Sequence, residues 1–311
     1  MARRISIINF KGGVGKTTLA FEFASGLARF APHPKVLLID VDHQSSLSIV
    51  CMGGAEWEKA VDNEFTSTEV FKYFVSKRQE LPGREIVYDN PIRHIGYENL
   101  GIVPASLELD DIEIQLTGAH HGNAIESEWD KRTLICRWLE DALIDEYFDY
   151  IIFDCPPATK IVSQNAIAAS HGYVVPVVPE AVMERGVPHL TNIVETRIDG
   201  YLRQLSVLGK ARATYVPNTQ RVGLVITRIR THGPAESGYT DDHTRFLRSL
   251  QREWGSELIA PYVEDGTGIS QTLAEGIPVY DRKDHQNIRN RRFHTVYRQL
   301  TDELKSRIDT L

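Results

Sequence analysis

The stretch that decides the fold is residues 10–18, Phe10-Lys11-Gly12-Gly13-Val14-Gly15-Lys16-Thr17-Thr18. It follows a short apolar run, Ile5–Asn9, and precedes a segment in which apolar residues recur at helical spacing. Glycines let the backbone wrap tightly, so that successive N–H groups can point at phosphate oxygens, and the helix start adds partial positive charge. In such a loop Lys16 would reach the β- and γ-phosphates of a nucleotide, and the Thr17 hydroxyl would ligate Mg²⁺. The sequence therefore predicts a phosphate-binding loop between a strand and a helix.

Outward from this loop, short apolar runs alternate with helical stretches such as Thr133–Tyr147. The further apolar runs are Val36–Ile39, Leu100–Val103, Tyr150–Phe153, Tyr173–Val178, Val222–Ile226 and Leu258–Ile259. Most of them lack period-two alternation, which is typical of strands covered on both faces. The pattern predicts an α/β fold with a doubly wound, mostly parallel sheet and helices on both faces. We expect a single domain over residues 1–311, with a less regular segment at about residues 53–99 that contains a helix near Ser67–Ser76.

Composition excludes several classes of protein. The chain has 311 residues, of which 42% are hydrophobic and 25% charged, and this profile excludes collagen-like and predominantly disordered chains. No apolar run approaches the roughly 18–20 residues that a membrane span needs, and the first run ends at Lys11, too early for a signal peptide. The cysteines, Cys51, Cys136 and Cys155, are odd in number and widely spaced, which predicts reduced thiols. We therefore expect a cytoplasmic protein.

The loop departs from the usual phosphate-loop pattern, because Phe10 stands where a glycine is usual and Lys11 adds a second lysine. In this form KGGVGKTT resembles the deviant Walker A loop of the ParA/MinD family of ATPases. Val36–Gln44, VLLIDVDHQ, resembles the family's strand that ends in Asp-x-Asp-Pro-Gln, and Tyr150–Pro157, YIIFDCPP, resembles its Walker B strand. The likeness continues as far as Gly276–Val279 and so covers nearly the whole chain.

The resemblance implies roles for the residues at this edge of the sheet, where α/β proteins bind their ligands. Asp154 would hold Mg²⁺ together with Thr17, and Asp40 would assist the metal. Asp42 would position or polarise the attacking water, and Lys11 would cross a dimer interface to touch the partner's nucleotide. The residues expected to bind ATP are Lys11, Gly12, Gly13, Val14, Gly15, Lys16, Thr17 and Thr18. Those expected in catalysis are Lys11, Lys16 and Asp42.

Two positions next to these residues depart from the family pattern. His43 replaces the usual proline after Asp42, and Ser45 stands where glycine is common. Neither change removes a group that the chemistry requires. We therefore expect them to affect the rate of hydrolysis and the switching of this segment.

The resemblance further implies a ParA-type partition ATPase that hydrolyses ATP with Mg²⁺ and forms a homodimer when ATP is bound. Such a protein binds DNA without sequence preference and segregates or positions a plasmid, a chromosome or another cargo. A ParB-like or cargo-adaptor partner and a nucleoid-associated location follow from the same likeness, and no stable membrane association is expected. Because the phosphate loop begins at Lys11, we expect no helix-turn-helix domain before it.

The expected DNA surface is inferred from local charge, since the net charge of −7 gives no support for nucleic-acid binding. Two basic clusters, Arg197–Arg230 and Arg282–Arg298, lie in the C-terminal part of the chain. The expected contacts are Arg228 and Arg230, at the end of a predicted strand, and Arg289, Arg291 and Arg292, before the last helix.

Three other functions remain open from the sequence. A MinD-type membrane-associated regulator of the division site would use the apolar stripe in Phe293–Leu311 as a targeting helix, but Asp302, Glu303 and Asp309 favour a helix packed on the sheet. A redox carrier like the nitrogenase iron protein would need shared cysteine ligands, and the chain has no CxxC pair. A biosynthetic phosphate-loop synthetase would not need Lys11.

Overall fold

The computed structural model describes residues 1–30, 32–92, 94–208, 215–216, 218–232, 238–281 and 288–311. Its strands are β1 (Arg3–Ile7), β2 (Val36–Asp40), β3 (Tyr88–Asp89), β4 (Leu100–Val103), β5 (Tyr150–Asp154), β6 (Gly172–Val177), β7 (Gln220–Ile226) and β8 (Leu258–Ile259). They form one eight-stranded sheet in the order β3-β4-β2-β5-β1-β6-β7-β8. Only the β3–β4 pair is antiparallel among these strands. The predicted doubly wound, mostly parallel sheet is confirmed.

The helices connect these strands across both faces of the sheet. They are α1 (Lys16–Arg29), α2 (Ser46–Met52), α3 (Gly54–Asp62), α4 (Thr68–Val75), α5 (Leu109–Gly118), α6 (Ala124–Arg132), α7 (Leu134–Asp141), α8 (Ile144–Tyr147), α9 (Ile161–Ala168), α10 (Ala181–Asn192), α11 (Gly200–Leu208), α12 (Asp241–Trp254), α13 (Thr267–Glu275) and α14 (Ile288–Asp309). A π-helical segment, Ile193–Asp199, joins α10 to α11, and short 3₁₀ turns occupy Arg84–Ile86 and Gly255–Glu257.

Two hydrophobic cores lie on opposite faces of the sheet. In β5, Ile151 and Phe153 pack in one core and Ile152 packs in the other. Helices α4, α7, α9 and α10 contribute to the first core, whereas α1 and α14 contribute to the second. Because both sides of a central strand are buried, its residues are apolar without alternation, as the sequence pattern indicates.

The C-terminal helix α14 is part of the second core. Its side chains Tyr297, Leu300, Leu304 and Ile308 are buried, and the helix packs against α1. The predicted packing of the apolar stripe on the domain is therefore confirmed. Among the helices of the described ranges, none is both long enough and apolar enough to cross a membrane.

Two local predictions differ from the structure in detail. The predicted helical stretch Thr133–Tyr147 is helical but divided into α7 and α8, because Leu143 has a left-handed backbone with φ 54°. Residues 53–99 contain α3, α4 and the short edge strand β3, which no apolar run predicted. The helix expected near Ser67–Ser76 is α4.

The register of three strands determines the edge at which a ligand can bind. Asp154, the last residue of β5, is the register partner of both Ile7 in β1 and Asp40 in β2. From β1 the chain continues to β2 on one side, while β6 and β7 lie on the other side. The loop after β1 therefore lies where the strand order reverses, which is the usual ligand crevice of an open α/β sheet.

Candidate nucleotide site

The phosphate loop has the backbone that its glycines predict. Gly13 and Gly15 have φ of 71° and 82°, a left-handed conformation that L side chains rarely adopt. Helix α1 begins at Lys16, so the N–H groups of its first turn lack partners within the helix and carry partial positive charge. A cavity of about 640 Å³ opens over the loop, with α13 and residues 263–266 along its far wall. This geometry suits an anion at the start of α1.

Lys16 is nearly buried at the base of the loop. Its Nζ atom donates a hydrogen bond to the Lys11 carbonyl at 3.2 Å. Burial lowers the pKa of Lys16, while the negative charges of Asp154 and Asp42 act in the opposite direction. A phosphate in the cavity would give this cation a fully charged partner, as the sequence prediction requires.

The carboxylates at the strand ends have different surroundings. Both oxygens of Asp40 accept hydrogen bonds: Oδ1 accepts from the Asp42 N–H at 3.0 Å, and Oδ2 accepts from the Ser48 hydroxyl at 2.6 Å. Burial raises the pKa of Asp40 to about 7. Burial and the nearby charge of Asp40 raise the pKa of Asp154 well above its usual range. Asp40 is thus saturated with protein donors, whereas Asp154 is not.

A magnesium ion fits the residues around Asp154. Both of its carboxylate oxygens are buried, and neither makes a well-formed hydrogen bond within the described residues. Thr17 and Lys16 are the favourable neighbours of the carboxylate. An unsatisfied buried carboxylate is costly, and a hydrated cation beside it would remove that cost. The donor set of one carboxylate and one hydroxyl also suits Mg²⁺, which keeps most of its waters and takes phosphate oxygens as ligands.

Asp42 begins the turn that follows β2 and lines the cavity. Its Oδ1 atom accepts a hydrogen bond from the Gln44 N–H at 3.0 Å, and its carbonyl accepts one from the Ser45 N–H at 2.8 Å. Ser45 has φ 52°, so it adopts the conformation in which a glycine would be unstrained. The departure from the family's glycine therefore adds strain to the turn that holds Asp42.

Lys11 lies on the rim of the site, beside a carboxylate that the sequence did not single out. Its Nζ atom forms an ion pair with the carboxylate of Glu180, just before α10. Its backbone N–H donates to Asn9 Oδ1 at 3.0 Å. Glu180 follows the predicted apolar run Tyr173–Val178, but charge alone does not single it out among the chain's acids.

The arginines expected to contact DNA lie beside carboxylates or the phosphate loop. Arg228 donates to the Gly13 carbonyl at 2.7 Å and lies 3.4 Å from Asp265. Arg230 is more exposed and has its Nε atom 3.6 Å from the same Asp265. Arg292 lies 2.6 Å from Glu264. The expectation that Arg289, Arg291 and Arg292 precede the last helix is wrong, because α14 already begins at Ile288. The side chains of Arg289 and Arg291 lie outside the described residues.

A further basic surface lies on α12, which sequence analysis did not select. Arg245, Arg248 and Arg252 are exposed on one face of this helix and line a shallow hollow. Their spacing of three and four residues is the signal that could have found them. The neighbouring acids Asp241 and Asp242 obscure this signal in a charge count over the segment.

Comparison with known proteins gives the family. The family described as an AAA domain, AAA_31, matches residues 2–207. The chromosome-partitioning ATPase Soj of Thermus thermophilus is 30% identical over 230 residues, which cover 74% of this chain and 76% of Soj. An uncharacterised protein of Mycobacterium tuberculosis is 27% identical over 229 residues, which cover 73% of this chain. The match spans only 63% of that mycobacterial protein's length.

Solved structures share the fold at low sequence identity. The ATP complex of an McdA variant from Cyanothece superimposes with a TM-score of 0.68 at 19% identity, covering 99% of this chain and 96% of that one. Cobyrinic acid a,c-diamide synthase from Mycobacterium smegmatis, with ADP and magnesium, gives 0.60 at 19% identity, with coverages of 97% and 93%. ParA of pNOB8 bound to nonspecific DNA gives 0.59 at 19% identity, with coverages of 100% and 99%. These structures share the fold, whereas the family match and the Soj relative give the assignment: this chain belongs to the AAA domain family AAA_31 and, within it, to the ParA/Soj group of partitioning ATPases.

Proposed function

We propose that this chain binds ATP with Mg²⁺, hydrolyses it, and forms a dimer when ATP is bound. The observation that carries the proposal is the meeting of Lys16, Asp42 and Asp154 at the carboxyl edge of the sheet, beside the cavity over the phosphate loop. Lys16 and the N–H groups at the start of α1 would bind the phosphates. The apolar side chains of Val263 and Ile269 on the far wall would face the base.

In the proposed hydrolysis, Asp42 orients the attacking water. The Gln44 N–H occupies Oδ1 of Asp42, which leaves Oδ2 to accept a hydrogen bond from a water molecule in the cavity. Mg²⁺, held by Asp154 and Thr17, would supply positive charge against the phosphates. Positioning and charge are the main contributions that a protein makes to phosphoryl transfer.

In the proposed dimer, Lys11 leaves Glu180 and contacts the partner's nucleotide. The Lys11–Glu180 pair lies on the rim and is partly exposed, so solvent screens it and its loss costs little. A triphosphate carries more negative charge than one carboxylate. Exchange of Glu180 for the partner's ATP would therefore favour the dimer only when ATP is present.

We also propose that the ATP-bound dimer binds DNA without sequence preference, with an adaptor protein such as ParB as a further partner and the nucleoid as its location. The fold neighbour with nonspecific DNA and the Soj relative support this part. In this chain the exposed Arg230 and the basic face of α12 (Arg245, Arg248 and Arg252) are candidate contacts. The buried apolar face of α14 gives no support to a membrane-targeting function.

The proposal is tested by ATP turnover of purified wild type and the Asp42→Ala variant. Wild type should release phosphate from ATP only with Mg²⁺. Asp42→Ala should lower turnover by about 10²-fold, since it removes a group that positions water, and should leave ATP affinity unchanged. Asp62→Ala, at the exposed end of α3, is the matched control. Normal turnover in Asp42→Ala would contradict the assigned role, and wild type without Mg²⁺-dependent turnover would contradict the ATPase proposal.

A further inference from the structure

The loop after β7 holds the outer side of the phosphate loop by two hydrogen bonds. The Thr227 hydroxyl donates to the Val14 carbonyl at 2.7 Å. The next residue, Arg228, donates from Nη1 to the Gly13 carbonyl, also at 2.7 Å. Two successive carbonyls of the phosphate loop are therefore bound by two successive residues that lie more than two hundred positions away in sequence.

The loop that supplies these donors is itself anchored. The Thr227 N–H donates to the Val177 carbonyl at the end of β6, and the Ile229 N–H donates to the Val263 carbonyl. Arg228, between these anchors, has φ 53°, a conformation that is uncommon for a residue with a side chain. Such strain persists where the surrounding structure determines it, and it is often found at functional sites. Asp265 holds the Arg228 guanidinium from the other side at 3.4 Å.

The geometry of the peptide group connects these contacts to phosphate binding. In a planar trans peptide the C=O and the following N–H point in opposite directions. A donor on the Gly13 carbonyl therefore fixes the direction of the Val14 N–H, and a donor on the Val14 carbonyl fixes that of the Gly15 N–H. Hydrogen bonding to a carbonyl also polarises the peptide and makes its N–H a stronger donor.

We infer that Arg228 is a positioning residue of the nucleotide site, which acts through the Gly13 carbonyl to orient the phosphate-loop N–H groups toward the nucleotide's phosphates. The inference rests on the proposed nucleotide function and gives Arg228 a role different from the DNA contact that charge predicts. Arg228 does not itself touch the reacting atoms in this assignment. Its guanidinium, although about half of the side chain is exposed, is engaged by the Gly13 carbonyl and by Asp265.

The test compares the affinities of the variants for ATP and ADP, measured by titration with the full chain. Arg228→Met should weaken both nucleotides by the same factor, about tenfold, because both carry the phosphates that the loop amides bind. Arg228→Lys should recover part of this loss, since lysine can donate to one carbonyl but lacks the planar fork. Thr227→Val, which removes only the second donor, should weaken both nucleotides in the same way.

Arg137→Met is the matched control. Arg137 lies on α7, is 36% exposed, and has its Nε atom 3.4 Å from Asp141, whereas Arg228 is 51% exposed and lies at the same distance from Asp265. The control should leave both affinities unchanged. Thermal unfolding of each variant shows whether it is folded, and Arg228→Lys and Thr227→Val keep the test decisive if Arg228→Met does not fold.

The alternatives give different results. Weakened ATP with unchanged ADP would indicate a direct γ-phosphate contact and would overturn the inference. Unchanged affinity for both nucleotides, with a flatter salt dependence of DNA binding at saturating ATP, would make Arg228 a DNA contact and would also overturn it. Wild type that binds neither nucleotide would overturn the proposed function and the inference with it, whereas wild-type binding with an unchanged Arg228→Met variant overturns the inference alone.

Discussion

The phosphate loop is predicted from a backbone motif, whereas the basic C-terminal part of the chain is predicted from its charge. In the structure the loop has the predicted backbone, but several of the arginines lie beside acids. The loop was recognised from residues that its backbone requires: Gly13 and Gly15 are in the left-handed region, and Lys16 begins the helix, as a phosphate loop needs. These requirements are local. A contiguous motif therefore specifies the geometry wherever the rest of the chain lies.

The basic part is predicted from the number of its basic residues. That number does not show which acidic side chains lie beside them in the fold. Arg228 and Arg230 share Asp265, and Arg292 pairs with Glu264. The two acids follow β8, and Asp265 comes close to Arg228 and Arg230 because β8 pairs with β7 in the sheet. Glu264 meets Arg292 on the remote helix α14. A charge cluster therefore predicts a binding surface less reliably than a backbone motif predicts a site. The following predictions test that difference.

The largest effect is expected at the phosphate loop. Lys16→Ala should reduce ATP affinity by about 30-fold or more, since removing one partner of a buried charge pair costs roughly 2–5 kcal/mol. Titration with a fluorescent ATP analogue measures this loss. Lys59→Ala, at an exposed lysine paired with Glu56, is the control and should bind normally. If Lys16→Ala lowers ATP affinity only a few-fold, the backbone motif predicts a binding site no more reliably than the charge cluster does.

The second prediction concerns Lys11, which lies on the rim of the nucleotide site. Lys11→Ala should weaken the ATP-dependent dimer at least about tenfold, because a charge-assisted contact to the partner's phosphates is lost, while ATP binding by the monomer is retained. Light scattering with a non-hydrolysable analogue measures the dimer. The control is Lys35→Ala. Lys35 directly precedes β2, so it lies at the amino ends of the strands, away from the nucleotide site, and its variant should dimerise normally. A dimer of normal affinity in Lys11→Ala would return Lys11 to the role of a surface lysine.

A smaller, graded effect is expected for DNA binding. Arg230→Ala should flatten the slope of log affinity against log salt by about 0.9, the value for one phosphate contact, and an Arg289/Arg291/Arg292→Ala variant should flatten it further. Salt titration of the ATP-bound protein on unrelated duplexes gives these slopes. If binding ignores salt, nucleotide and these arginines, the basic part is a set of solvated or internally paired charges, and the DNA proposal fails.

The smallest effect is expected in stability. Because burial raises the pKa values of Asp40 and Asp154, the folded chain holds their protons more tightly than the unfolded chain does. The free energy of unfolding should therefore fall as pH rises from about 4 to about 7. Without nucleotide, Asp154→Asn should raise the melting temperature by roughly 2–4 °C at pH 8, as expected for a gain near 1 kcal/mol, and change it little at pH 4.

Thermal unfolding with Mg²⁺ and ATP adds a second arm to this stability test. Wild type should gain stability from the ligands, whereas Asp154→Asn should gain less, because the metal-binding carboxylate is gone. Asp62→Asn, at an exposed position of α3, should match wild type in every condition. Without Mg²⁺ and nucleotide, a melting temperature of Asp154→Asn below that of wild type at pH 8 would show that the carboxylate stabilises the fold, and it would contradict the metal-site interpretation.

Features that depend on neighbouring residues can be predicted from the sequence alone. The apolar runs of β1, β2 and β5 predict the central strands because both of their faces are buried, and the glycines predict the phosphate loop because few other residues adopt its backbone. The aspartates at the strand ends, Asp40 and Asp154, were placed at one edge by the direction of parallel strands. The structure brings them into register opposite each other.

Contacts between groups that are distant in sequence depend on the tertiary fold. Lys11 and Glu180 are 169 positions apart in sequence, and Arg228 and Gly13 are 215 positions apart. No local sequence pattern therefore predicts either contact. The break at Leu143 and the short edge strand β3 likewise depend on packing rather than on propensity. The physical reason is that a backbone conformation is selected mainly by adjacent residues. The partner of a charge is selected by how the sheet brings remote segments together.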